Sequence, residues 1–158
     1  MKRRSSKPDR QKLMALLRGA SVSGSPAINR SDGYRDDLPE LSERVRCLFD
    51  IANKQRPATD MIFFVMYDIE SNKVRRAVAK YLLGKGCTRV QKSIFLANLP
   101  GSVCRSVAED LAEIQAMYDN KDSILIVPLS TDYINSMKII GRNINVDLIL
   151  KNKTTVFF

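Results

Sequence analysis

The chain has 158 residues, 44% of them hydrophobic, which allows one domain of ordinary size with an appendage and enough apolar content for a core. Histidine is absent, and this excludes a Ser-His-Asp triad, a Cys-His pair, an imidazole base and any histidine metal site. A formal net charge of +9 points to a polyanionic partner, and nucleic acid is the commonest one for a soluble basic domain.

Lys2, Arg3, Arg4, Lys7, Arg10, Lys12 and Arg18 are opposed at the start of the chain only by Asp9. They read as a mobile basic arm able to touch phosphates. Gly19 to Asp37 is rich in Gly, Ser, Asn and Asp, has no period, and reads as a flexible linker. Pro39 to Gln55 then sets Leu41, Val45, Leu48, Phe49 and Ala52 on one face of an amphipathic helix of about four turns. That face can dock on its own domain or on a partner, and the pattern leaves both open. Arg56, Pro57 and Ala58 break the helix. Residues 1–60 are therefore expected to be arm, linker and one helix, followed by a domain over 61–140 and a tail over 141–158.

Ile62 to Ile69 is a nearly unbroken apolar and aromatic run of strand length, ended by the carboxylate of Asp68. Asn72 to Lys85 places Val74, Ala77, Val78, Tyr81 and Leu82 on one helical face and turns Lys73, Arg75, Arg76 and Lys80 mostly to solvent, with Gly84 and Gly86 as the stop. Thr88 to Leu96 alternates as a strand. Pro100 to about Tyr118 is a helix with Val103, Val107, Leu111 and Ile114 inward; Asp119 to Lys121 is a turn; Asp122 to Ser130 is a second intensely apolar strand. A short helical turn carrying Tyr133, Met137 and Ile140 follows. The tail holds two strand-like runs, Val146 to Leu150 and Thr154 to Phe158, forming a hairpin or one bent strand.

Cys47, Cys87 and Cys104 are odd in number, widely spaced and form no CxxC pair, so they are expected to be reduced packing residues rather than a disulfide framework or zinc site. No run approaches the roughly twenty apolar residues of a membrane span, and the expectation is a soluble, unsecreted, cytoplasmic protein with no membrane partner. The strands are apolar on both faces, whereas two helices suffice to cover one face. A second copy of the same sheet is the economical cover for the other, which predicts a homodimer packed sheet to sheet about a two-fold axis.

Four segments carry a family resemblance: YDI at Tyr67 to Ile69, the pair Arg75 and Arg76, GCTRVQKSIF at Gly86 to Phe95, and DSILIVPL at Asp122 to Leu129. Together they resemble the small CRISPR adaptation protein Cas-two over Met61 to Leu129, and the tail GRNINVDLILKNKTTVFF is similar to a C-terminal extension found in part of that family. The resemblance implies an α+β, ferredoxin-like βαββαβ fold with an antiparallel sheet, a symmetric dimer and a C-terminal strand extension. It implies a part in antiviral defence through spacer acquisition. The dimer would bridge two dimers of the integrase Cas-one and hold double-stranded protospacer DNA, with the CRISPR repeat, along its basic surface. Val146, Leu148, Leu150, Val156, Phe157 and Phe158 of the tail would dock on the integrase. Residues 1–60 depart from the compact family form.

The family is also described as metal-dependent endonucleases, so the resemblance makes Asp68 the candidate catalytic and Mg2+-binding residue. One carboxylate per chain is thin for a magnesium ion, which takes six hard oxygens, but a two-fold dimer would supply two. By the same resemblance Arg75, Arg76, Arg89 and Lys92 contact phosphates, and Ser93 and Phe95 shape the neighbourhood. The plainer readings are that Asp68 caps the following helix or pairs with an arginine, that Arg75 and Arg76 are a solvated face, and that Phe95 is core or dimer interface. Two function classes stand out, a DNA-binding bridge and a magnesium-dependent endonuclease on RNA or DNA; a ribonuclease toxin of the same fold fits the segments less well.

Overall fold

The computed structural model describes residues 37–117 and 121–141. Its elements are α1 (Leu41–Asn53), β1 (Asp60–Asp68), α2 (Asn72–Gly84), β2 (Thr88–Gln91), β3 (Ile94–Pro100), α3 (Gly101–Ala116), β4 (Ser123–Leu129) and α4 (Thr131–Asn135). The strands form one antiparallel sheet in the order β2-β3-β1-β4. From β1 onward the chain is thus βαββαβ, the ferredoxin-like architecture. Apolar β1 lies at the centre, paired with β3 from Asp60↔Pro100 to Met66↔Ile94 and with β4 from Ile62↔Leu129 to Asp68↔Ser123. No helix among the described residues is long and apolar enough to cross a membrane. The arm and linker up to residue 36 and the tail from residue 142 lie outside the described residues.

Periodicity read Thr88 to Leu96 as one strand, and this is corrected: the segment is a hairpin that turns at Lys92 and Ser93. The turn lacks Gly, Pro, Asn and Asp, the usual signals. Its brace is Arg89, whose Nε and Nη2 both donate to the Lys92 carbonyl, at 3.2 and 2.8 Å. The pairing steps from Arg89↔Phe95 to Gln91↔Ile94, leaving Val90 as the extra residue of a bulge.

On one face of the sheet, Phe63, Val65 and Tyr67 of β1 and Phe95, Ala97 and Leu99 of β3 pack against Val74, Val78 and Leu82 of α2 and Val107, Leu111 and Ile114 of α3. Ser71 caps α2, its hydroxyl accepting from the Val74 amide at 3.5 Å. Beyond the helix Gly86 sits at φ 94°, a conformation that favours glycine. A polar clamp joins the end of α2 to α3: Tyr81 donates to Asp110 Oδ2 at 2.5 Å, and Lys85 Nζ lies 3.6 Å from the same oxygen and 3.3 Å from Ser106 Oγ.

Beneath the clamp Cys87 is wholly buried. Burial first, then Cys104, raises its pKa from about 9 to about 12, against a smaller lowering by Lys85. Burial, then the Asp110 hydrogen bond, also raises that of Tyr81. A folded-state pKa above the unfolded value gives stability that is complete below the unfolded pKa and disappears as pH rises towards the folded one. Urea stability should therefore fall by about 1.4 kcal/mol per pH unit above about 9 through Cys87, and more steeply above about 10 where unfolded tyrosine ionises. Cys87→Ala should reduce the first part of that slope, leaving what Cys47 and Cys104 contribute, since burial raises their thiols as well.

The opposite face carries the second cluster. Ile62, Val90 and Leu96 of the sheet are buried with Val45, Leu48, Phe49 and Ala52 of α1 and Ile134 of α4. Here the cover that two-faced strands require comes from within the chain, where a second copy had been expected. Side chains of this size contribute roughly 1.5–3 kcal/mol each when fully buried. The bulge helps to seat the helix: Arg44 Nη1 donates to the carbonyl of Val90 at 2.9 Å, and Asn98 Nδ2 of β3 donates to the Ile51 carbonyl at 3.2 Å. The helix lies over β2 and β3. Towards β4 the face opens, with Phe64, Met66 and Val127 half-buried and Leu125 60% exposed.

Candidate functional site

Residues singled out in the sequence converge on one end of the sheet. The end of β1 is joined to the β2–β3 turn by the Tyr67 amide donating to the Ser93 carbonyl at 3.0 Å. The link into α2 is tied to the start of β4 by the Glu70 amide donating to Asp122 Oδ1 at 3.0 Å. These two backbone ties place Asp68, Ser93, Lys92, Arg89 and the first turn of α2 around a single rim. Asp122 opens the DSILIVPL segment but was not assigned to the site; its role as acceptor follows from strand pairing over a long sequence separation.

Asp68 is exposed at the end of β1 opposite Ser123. Its expected structural duty as a helix cap is performed by Ser71, and among the described residues its carboxylate makes no hydrogen bond or ion pair. Arg75 is half-buried, with Nη1 donating to the Ile69 carbonyl at 3.5 Å and Nη2 to Asn72 Oδ1. The guanidinium thus braces the connection that follows Asp68. Arg89 does the same for the hairpin through Lys92 O. Lys92 is exposed at the turn and Ser93 half-buried beside it.

Phe95 lies away from the rim. It is fully buried in the core beneath α2 and α3, its ring 6.0 Å from that of Tyr67 and inclined by 28°. Side chains alternate along β1, so Tyr67 faces the helices while Asp68 belongs to the other side with Phe64 and Met66. Phe95 acts on the rim only through Tyr67 and the backbone. The tail residues Val146, Leu148, Leu150, Val156, Phe157 and Phe158 fall outside the described residues.

The surface charge of the helical layer is divided. Lys73, Arg76 and Lys80 of α2 are exposed at spacings of three and four, one stripe along the helix. Neighbouring α3 exposes Glu109 and Glu113. A polyanion is therefore favoured along α2 and the rim rather than across both helices. From Lys73 to Lys80 the rise is about 10 Å at 1.5 Å per residue, close to the advance of three phosphates along one DNA strand.

Among the described residues no three His, Cys, Asp or Glu side chains come together, and Asp122 already accepts from the Glu70 amide. A single chain therefore does not fit a divalent-cation centre. Its donor set is one carboxylate, that of Asp68.

A curated relative, described as a CRISPR-associated endonuclease Cas1/endonuclease Cas2 fusion from Thermoproteus tenax, is 40% identical over 55 residues. That alignment takes in 35% of this chain and 21% of the relative, so the chain spans about a fifth of the length of the protein it matches. A family model described as CRISPR associated protein Cas2 matches residues 61–137, which run from the start of β1 to just past α4. With the βαββαβ order, the central β1 and the YDI, RVQKSIF and DSILIVPL segments at their places in that order, residues 61–137 belong to the CRISPR associated protein Cas2 family.

Proposed function

We propose that this chain serves CRISPR adaptation as the dimeric bridge of the spacer-acquisition complex, joining two dimers of the Cas1 integrase and holding the incoming duplex along its basic surface. One observation carries the reading: the T. tenax relative is described as Cas1 and Cas2 fused in a single polypeptide. Fusion keeps two proteins together, which suits partners that act in one assembly. The stripe of Lys73, Arg76 and Lys80, with Lys92 and the charged braces Arg75 and Arg89, supports duplex binding through phosphates, without base-specific readout. The test is size-exclusion chromatography with light scattering on the full chain, alone, with its Cas1 partner, and with a short duplex. A dimer that joins both supports the bridge.

A second reading, a magnesium-dependent endonuclease on RNA or DNA, draws on the exposed and uncommitted carboxylate of Asp68. Since one chain offers a single donor, this reading needs Asp68 from two copies. Under the bridge reading Asp68→Ala should leave stability within about 0.5 kcal/mol, as for other surface changes, and leave duplex binding and spacer integration intact. A dimer that ignores Cas1 and duplex, cleaves nucleic acid with magnesium and loses cleavage in Asp68→Ala favours the endonuclease instead.

A further inference from the structure

We propose that α1 competes with a second copy of this chain for one surface, so that sheet-to-sheet dimerisation requires α1 to leave the sheet. The proposal rests on the dimer of the reading above but not on its DNA binding, and it concerns a helix that precedes the residues matched by the family model.

The first argument is space. Sheets pack face to face about 10 Å apart, and a helix with its side chains is about 10 Å across, so a helix and a second sheet occupy the same layer. A four-stranded sheet is roughly 19 Å wide at 4.8 Å per strand. With α1 over β2 and β3 and α4, Met137 and Ile139 beside it, no more than about two strands remain open among the described residues, and seven residues of β4 are about 23 Å long. That strip of about 200 Å2 is far below the roughly 800 Å2 per partner of a stable interface.

The second argument is what lies underneath. Ile62, Phe64, Leu96 and Leu129, below or beside α1 and α4, continue into Met66, Leu125 and Val127 on the open strip. No charged side chain interrupts this surface until Asp68 at its end. An uncharged face raises no like-charge repulsion against its own two-fold copy, and the competing occupant is the second copy that the dimer of the proposed function requires.

The third argument is the border of the α1 seat: Val45, Leu48, Phe49 and Ala52 are buried beneath the helix, but open grooves run along both of its flanks. An open groove of about 140 Å3 runs along one flank, between Arg44 and Leu48 on one side and Phe64, Met66, Met137 and Ile139 on the other. A gap of about 310 Å3 runs along the other, between Cys47, Asp50 and Lys54 and the side chains of Thr88 and Asn98. The connection to β1, Lys54 to Thr59, is exposed except for half-buried Arg56, so it can take up a change of direction without unpacking the core. Once off the sheet, a helix of 13 residues is marginal on its own.

Cys47 is a natural reporter. It lies half-buried on α1, while Cys87 and Cys104 are buried beneath the other layer. Reaction of the full, DNA-free chain with a thiol reagent should be followed across protein concentration alongside light scattering, with Cys47→Ser identifying the signal. The labelling rate at Cys47 should rise at least tenfold in step with dimer formation. Leu48→Asp, which disfavours docking, and the gentler Arg44→Ala, which removes only the tie to Val90, should both dimerise at concentrations where the parent is monomeric. A dimer in which Cys47 stays as slow as in the monomer overturns the proposal. So does a Leu48→Asp or Arg44→Ala chain with native secondary structure that remains monomeric wherever the parent does. Failure of the dimer to bind duplex DNA would sink the bridge reading and leave this one standing.

Discussion

Replacing Lys73, Arg76 and Lys80 together with alanine is expected to flatten the salt dependence of duplex binding and to lower affinity on the order of several hundred-fold at 0.1 M salt. Each phosphate neutralised contributes about 0.9 to the slope of log K against log salt. Three contacts therefore account for about 2.7 units of slope, and the same number of decades in affinity between 0.1 M and 1 M salt. All three side chains are exposed on one stripe, so the triple variant should keep its thermal midpoint. Fluorescence anisotropy with a labelled duplex over a salt series is the direct measurement. An unchanged slope would place the duplex elsewhere on the molecule, with the rim around Lys92 and Arg89 the next surface to alter.

Phe95→Ala should cost about 3–5 kcal/mol in urea denaturation, the usual range for emptying a buried phenylalanine site. That is a large part of the 5–15 kcal/mol that holds a typical domain. Phe95 is completely buried and its ring lies against Tyr67, so the loss falls on the whole fold. Ser93→Ala, half-buried at the rim, should stay within about 0.5 kcal/mol. A Phe95→Ala chain that is as stable as the parent yet fails to bind duplex would reverse this assignment and return Phe95 to the site.

The contrast shows where sequence reasoning reached and where it stopped. Strong periodicity located α1, β1, α2, α3 and β4 to within about two residues, because apolar spacing and helix-ending glycines act locally. The β2–β3 hairpin was hidden from that reasoning. Its turn is Lys92 and Ser93, and what holds it is a side chain from within the hairpin, Arg89, reaching a carbonyl. The family resemblance carried the extra strand that the residue pattern did not. The amphipathic face of α1 was legible, but its destination was not: the seat depends on a bulge at Val90 that frees a carbonyl for Arg44. At the rim, Asp68 was marked by its position at the end of an apolar run. Its freedom from capping became visible only when Ser71 was seen in that role.

The central place of β1 has a consequence for synthesis on the ribosome. It is the first of the described strands to be made, yet its two edges close at different times: β3 is complete at Pro100, whereas β4 begins only at Ser123. While the residues of α3 are being translated, one edge of the central, largely apolar strand has no partner. Unpaired apolar edges are templates for intermolecular pairing, and nascent chains with such edges are exposed to misassembly. A stop codon or a stall between Gly101 and Asp122 would thus release a product with a sticky, half-closed sheet. Residues 123–129 work as the closing seam that turns the nascent chain into a self-contained sheet.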